Sequence, residues 1–288
     1  MSFQVPWWST PLVVLGTFLT MLAIETVRPL RKAVEPKVRR VARNFATAGL
    51  SFAIVSLIQT SVVLPLSEWV VANDFGLVRL LTISGPLRLL LAILLLDYTL
   101  WFWHWLNHRV PFFWRFHLVH HIDRDLDAST ALRFHFGELA LSVGYRALQV
   151  VVIGAEPAAL WIWQTILFVA ILFHHSNTRL PLGLERVVVR FVVTPRMHGI
   201  HHSDRRNESD SNWSSILSVW DTLHRTLVLN VPQREIEIGV PAYQEPSRVT
   251  LGRILALPFG SRSDDWVSAD GRPATRAHDP ETLAKLEA

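Results

Sequence analysis

The chain has no cysteine among its 288 residues. That excludes disulfides, cysteinyl zinc sites and iron–sulfur clusters, all of which need sulfur ligands. Charge is scarce as well: Asp, Glu, Lys and Arg make up 18% of the residues while half are hydrophobic, an unusual balance for a soluble domain. No Gly-x-Gly-x-x-Gly run occurs, so no bound dinucleotide is expected. The N-terminus lacks the basic leader and small-residue cleavage site of a signal peptide. Basic charge is almost all arginine, in keeping with a GC-rich bacterial genome, and it flanks apolar runs. It is therefore read as lipid-orienting charge, with no nucleic acid as partner.

What the chain has in quantity is apolar sequence, together with 12 tryptophans, a residue that favours membrane interfaces. Apolar runs predict spans at Pro11–Val27, Phe45–Val71 (with Pro65 kinking or ending the helix) and Leu87–Trp105. Two shorter runs, Leu139–Ile153 and Ala158–Phe173, flank the turn Gly154-Ala155-Glu156-Pro157 and read as a helical hairpin. Arg146 sits inside it. The fold class expected is all-α, a membrane protein of about four to five embedded helices with a cytoplasmic helical cap holding a histidine-rich dimetal site. Arg28–Arg43 carries seven basic residues and one acid, and is read as a topogenic, lipid-facing cytoplasmic loop. Counting spans from that loop puts every histidine cluster on the cytoplasmic side. Three units are expected: membrane helices with the basic loop (1–86), a catalytic unit (87–229) and a cytoplasmic tail (230–288).

The histidines are unevenly placed. Five of the 13 lie between His104 and His121, and 11 lie between His104 and His202. His104 and His108 are four apart; His117, His120 and His121 form one tight set and His198, His201 and His202 repeat it. Positions i, i+3 and i+4 share one helical face, so each set can aim its rings at one point. Without a metal, eight close imidazoles would repel one another once protonated. A single structural zinc takes four ligands, whereas two five- or six-coordinate ions can use all eight. Asp97, an acid inside a span, is expensive there. Seven residues before His104, it is a candidate to accept a proton from a ligand's second ring nitrogen, the alternatives being a pair with Arg88 or a cap on a neighbouring helix. Glu138, Asp210, Asn212 and Asp221 are similar candidates.

The motifs read His-Trp-Leu-Asn-His at His104, His-Leu-Val-His-His at His117 and His-Gly-Ile-His-His at His198. With Thr-Ala-Leu-Arg-Phe-His ending at His135, His-Ser-Asn at His175 and Trp-Asp at Asp221, they are similar to the fatty acid hydroxylase/sterol desaturase superfamily of integral membrane oxygenases. The likeness covers about Asp97–Thr226. It implies that His104, His108, His117, His120, His121, His198, His201 and His202 are metal ligands. It adds His175, and His135 as a ligand or a support of one; it leaves His174, His224 and His278 outside the set. The implied cofactor is two iron ions, with zinc possible as isolated. The implied activity is dioxygen-dependent hydroxylation, ahead of desaturation, of a lipid, acyl or sterol-like chain.

The expected partners are the lipid substrate, membrane lipids and a separate electron-transfer protein docking near the histidines, in a bacterial inner membrane. Trp101, Phe102, Trp103, Phe112, Phe113 and Trp114 are candidates to line a substrate route, or else belong to packing and an interfacial belt. Two competing readings are a metal-handling or transport protein and a zinc-dependent hydrolase.

Overall fold

A computed structural model describes residues 8–260 and 265–267; His278 and nearly all of the expected tail beyond 260 lie outside them. The described residues are helical, with three isolated bridges and no named strand. Five helical segments are long and apolar enough to cross a membrane, in line with the expected integral membrane protein. The first is α1 (Ser9–Val27). The second is α2 (Lys37–Ile58), which runs through a π turn at Gln59–Val63 into α3 (Leu64–Ala72). Then come α4 (Gly85–Arg109), α6 (Phe136–Ile153) and α7 (Pro157–His175). Between and after them lie α5 (Pro111–His121), α8 (Leu182–Val188), α9 (Pro195–His201), α10 (Arg206–Ser209), α11 (Val219–His224) and α12 (Leu251–Ala256).

Pro65 neither ends nor breaks its helix. It follows the π turn directly, where the widened backbone absorbs the missing donor and the ring clash that proline imposes. The continuous segment is therefore about 54 Å long at 1.5 Å per residue, well beyond the ~30 Å of hydrocarbon. Its Lys37 end projects past the bundle into the cap. α4 likewise outruns its predicted end and carries His104 and His108 within it. Arg146 on α6 is tolerated because its guanidinium lies 4.0 Å from the Trp163 ring centre and its Nε donates to Gln149 Oε1 at 2.9 Å.

The spans meet over an apolar core that includes Val70, Leu96, Val143, Val150 and Trp163. At one end the backbones of Gly76 (φ 108°) and Gly154 (φ 79°) cross so closely that a β-carbon on either would strike the other segment's backbone. At the opposite end α1, α4 and α7 finish and α2 and α6 begin. The Arg28–Arg43 segment lies there too, pinned by Leu30 N donating to Asn177 O at 2.7 Å.

Two expectations fail at that end. The basic segment is not simply a lipid-facing loop. Arg40 is buried and ion-paired with Asp123 at 2.9 Å, with Asp125 at 3.8 Å and with Asp127, while Arg43 pairs with Glu35 at 3.0 Å. Nor is the stretch from 230 to 260 a tail. Val231, Ile236 and Ile238 pack on Leu126 and Ile200, and Val240, Val249 and Ile254 cover Trp114, Leu118 and Val119 of α5. The segment lacks helical periodicity because it is built of short 3₁₀ turns, so its burial left no repeating pattern in the sequence.

Candidate metal centre

Four helices deliver their C-terminal ends to one place. His108 lies in the last turn of α4, His120 and His121 in that of α5, His174 and His175 in that of α7, and His198 and His201 in that of α9. The partial negative charge at a helix C-terminus favours a cation there. The helices are started with equal definition: Pro stands in the first turn of all four. The Thr194 side chain also caps α9 by accepting from Met197 N. Gly199 within His-Gly-Ile-His-His has a steric reason, since Arg31 lies across α9 where a side chain would stand.

The rings form two groups whose ligand atoms lie within 4.8 Å of one another: His104, His108, His117, His121 and His201 in the first, and His120, His175, His198 and His202 in the second. His121 and His202 join them, stacked at 4.4 Å between ring centres. In the second group His175 Nε2 faces His120 Nε2 at 2.9 Å and His198 Nε2 at 3.0 Å, and His198 Nε2 faces His202 Nε2 at 3.1 Å. Nitrogens bound to one ion at ~2.1 Å stand about 3.0 Å apart at right angles and about 3.4 Å apart in a tetrahedron. The rings already have a metal site's spacing.

Outer partners fix several rings. His104 Nδ1 donates to Trp213 O at 2.8 Å, His117 Nδ1 to Glu138 Oε1 at 2.7 Å, His201 Nδ1 to Ser211 O at 2.7 Å and His175 Nδ1 to Ile171 O at 2.8 Å. A carbonyl only accepts, so the proton sits on Nδ1 and the Nε2 lone pair is bare and aimed inward. His108 Nε2 and His201 Nε2 are buried without a hydrogen-bond partner, a costly state for polar atoms that a bound cation relieves. Burial first, and then the neighbouring rings, hold His120, His121, His198 and His202 well below the usual imidazole range; burial takes His201 down to about 3. These rings are neutral at physiological pH, the form that ligates. The donor set fits two transition-metal ions.

The other expected residues fall elsewhere. His135 is not brought to either group: its Nδ1 accepts from Gly137 N at 3.0 Å and its Nε2 donates to Leu255 O at 3.1 Å, so it caps α6. His174 is buried 4.1 Å from the His198 ring centre but belongs to neither group. Asp97 touches no histidine and pairs with neither Arg88 nor a helix cap; its Oδ2 accepts from Trp220 Nε1 at 2.7 Å and Leu217 N at 3.2 Å. The seven-residue spacing does not bring it to His104, whose Nδ1 is taken by the Trp213 carbonyl.

Asn212 also misses the rings, binding Met197 O, Val228 O and Val228 N, at a positive φ of 54°. Asp221 holds the backbone of Trp213 and Ser214 and so supports His104 from one layer out. Asp210 Oδ1 stands 3.8 Å from His108 Nδ1. His224 stacks on Trp101 at 3.9 Å. Trp101, Trp103 and Trp114 are buried with their indole N–H groups on Asp221, Ser142 and Asp265, which is packing; Phe102 and Phe112 are exposed.

Sequence reasoning missed the Trp213 and Ser211 carbonyls, which carry no residue signature. It also missed the arginines under the second motif. Those had a signal: Asp123, Asp125 and Asp127, directly after His121, match the positive charge of the Arg28–Arg43 segment.

Comparison with known proteins bears on the same stretch. The family model for fatty acid hydroxylases matches residues 89–226. An ornithine lipid hydroxylase of Rhizobium tropici is 29% identical over 178 residues, 61% of this chain and 51% of its own. A cholesterol 25-hydroxylase of Mus musculus is 28% identical over 142 residues, 49% of this chain and 46% of its own. An alkylglycerol monooxygenase of Homo sapiens is 28% identical over 142 residues, 47% of this chain and 29% of its own. The chain thus spans about half the length, or less, of these curated relatives. No solved structure matches it.

Proposed function

From the premise that residues 89–226 are a fatty acid hydroxylase domain, we propose that the protein hydroxylates an unactivated C–H bond of a lipid. One dioxygen, two electrons and two protons convert C–H to C–OH and release one water. The observation that carries this reading is the pair of adjacent groups of buried or half-buried histidines whose ring nitrogens converge in each. Named relatives act as hydroxylases or a monooxygenase, chemistry that imidazole-bound iron supports. Two iron ions, one per histidine group, supply the oxygen activation when bound.

The chain's own residues provide the rest. His104, His108, His117, His121 and His201 would hold one ion, and His120, His175, His198 and His202 the other. Glu138, by accepting the His117 Nδ1 proton, strengthens that ring as a donor. The apolar spans bring an acyl, alkyl or sterol-like chain from the bilayer. The chain has no cysteine and no nucleotide fingerprint, so the electrons come from a separate electron-transfer protein. The histidine end of the bundle lies with the basic 28–43 segment, on the cytoplasmic side of a bacterial inner membrane by the positive-inside rule.

A zinc hydrolase is disfavoured by ligand number, since a catalytic zinc takes three protein ligands and a water where these two groups offer five and four imidazoles.

The test is metal analysis of protein purified from iron-supplemented cells, followed by turnover with a chemical reductant and ¹⁸O₂ in lipid nanodiscs. Iron at one ion per histidine group, and ¹⁸O in a product hydroxyl, are the expected results. Product formed without dioxygen, or oxygen incorporated from water alone, sinks the reading.

A further inference from the structure

Two short helices of the cap are inside out. On α8 the buried residue is an acid, Glu185 (7% exposed), while Leu182 (61%) and Leu184 (50%) face outward. On α11 the buried residue is Asp221 (0%), and Leu223 (63%) faces outward. Phe191, just beyond α8, is 65% exposed. The 234–238 stretch of the cap is built the usual way, with Ile236 and Ile238 buried and Arg234 outward. Acid in and leucine out is the pattern α4 shows, with Asp97 buried and Leu87 and Leu90 exposed. In a span that pattern is stable because the surroundings are hydrocarbon.

Hydrogen bonds fix the depth of this face. α4 needs about 20 residues to cross ~30 Å of hydrocarbon, which from Gly85 reaches the level of His104. Asp97 and Trp101 lie below that level. Asp97 binds Leu217 N and the Trp220 indole, and Trp101 binds Asp221. Ile216 is part of the apolar core of the spans. The non-helical backbone at this depth is satisfied from within. Trp213 N and Ser214 N donate to Asp221, Leu217 N to Asp97, Ser218 N to Phe191 O, and Val193 N to Ile216 O. Irregular backbone survives at membrane depth only when so satisfied. The two buried aspartates therefore have a role that needs no chemistry at the histidines.

We propose that α8, α11 and the 213–218 turn form a re-entrant face seated in the bilayer, continuous with the lipid-facing side of α4. Arg186, Arg190 and Arg225, all exposed on these segments, meet the phosphates of anionic lipid at its rim. Seated in this way, the face holds the five-histidine group at the hydrocarbon edge. This rests on burial and hydrogen bonding, and stands whether or not the hydroxylase reading does.

The native chain has no cysteine, so single-cysteine variants need no background removal. Leu184→Cys, Phe191→Cys and Leu223→Cys, each spin-labelled in nanodiscs of phosphatidylcholine and phosphatidylglycerol, are compared with Leu90→Cys on α4 and with Arg234→Cys, at a charged side chain 87% exposed. The expected result is collision with oxygen over a nickel chelate at the Leu90 level for all three. Nickel accessibility at the Arg234 level overturns the proposal. Shielding from both reagents, with spin–spin coupling between labels, also overturns it, in favour of a contact between two copies of the chain. Because each substitution is at an exposed position and each is read separately, one variant that fails to fold leaves the others decisive.

Discussion

The two histidine groups are made of one residue type yet are supported unequally. In the five-histidine group, His104, His117 and His201 each donate Nδ1 outward to a carbonyl or carboxylate. In the four-histidine group only His175 does so; Nδ1 of His120, His198 and His202 is buried with no partner among the described residues. An outer acceptor fixes the tautomer, orients the ring and raises its basicity, and its loss typically costs ~10–100-fold in metal affinity. The groups therefore differ in grip as well as number: the first has a ligand to spare and three braced rings, the second no spare ligand and one braced ring. A chelator should strip the four-histidine group first.

The largest expected effect falls on both groups at once. Arg40→Ala leaves Asp123 and Asp127 buried with an essential partner gone, a change that costs about 3–5 kcal/mol. Because those aspartates begin the loop that follows all three α5 histidines, thermal unfolding should shift down sharply and metal should be lost from both groups in parallel. Loss from one group alone would show that the loop does not brace them together.

Next comes the contrast between ligands. His202→Ala leaves its group three rings and should remove about one ion per chain, weakening that site beyond the ~10–100-fold of an outer-partner change. His201→Ala leaves four rings in its group and should retain both ions at lower affinity. Equal losses in competition titrations would break the comparison.

Glu138→Gln sharpens it further. It keeps a hydrogen-bond acceptor for His117 but removes the charge, so affinity at the five-histidine group should fall about tenfold. The other ion should be unaffected. The smallest effect is expected of Asp97→Asn, which keeps an oxygen for Leu217 N and the Trp220 indole. A stability loss of about 1 kcal/mol with both metal affinities unchanged is the result consistent with Asp97 touching no histidine; a changed metal affinity would contradict that placement.

Much of this is legible in the sequence. Spacing of four, and of three and one, put the rings of His104 with His108, and of His117 with His120 and His121, on single helical faces, because helix periodicity is local. The apolar runs marked the five segments for the same reason. What was not legible is what depends on approach from far along the chain. Arg40 reads as lipid-facing charge until the Asp123–Asp127 loop is folded over it. The stretch after 230 reads as a tail because 3₁₀ turns bury side chains without a period. His135 sits in a motif beside true candidates, yet a backbone carbonyl at Leu255 claims its free nitrogen.

The sequence alone determined that the protein is helical, membrane-embedded and equipped with more imidazole than one ion can use. Those properties follow from composition and from short-range periodicity. Tertiary structure alone decided how the rings divide into five and four, which carry an outer acceptor, and that Asp97 and Asp221 bind a non-helical backbone and touch no histidine directly. A hydrogen bond is decided by ångströms between groups about 100 residues apart, and no local pattern in the chain records that distance.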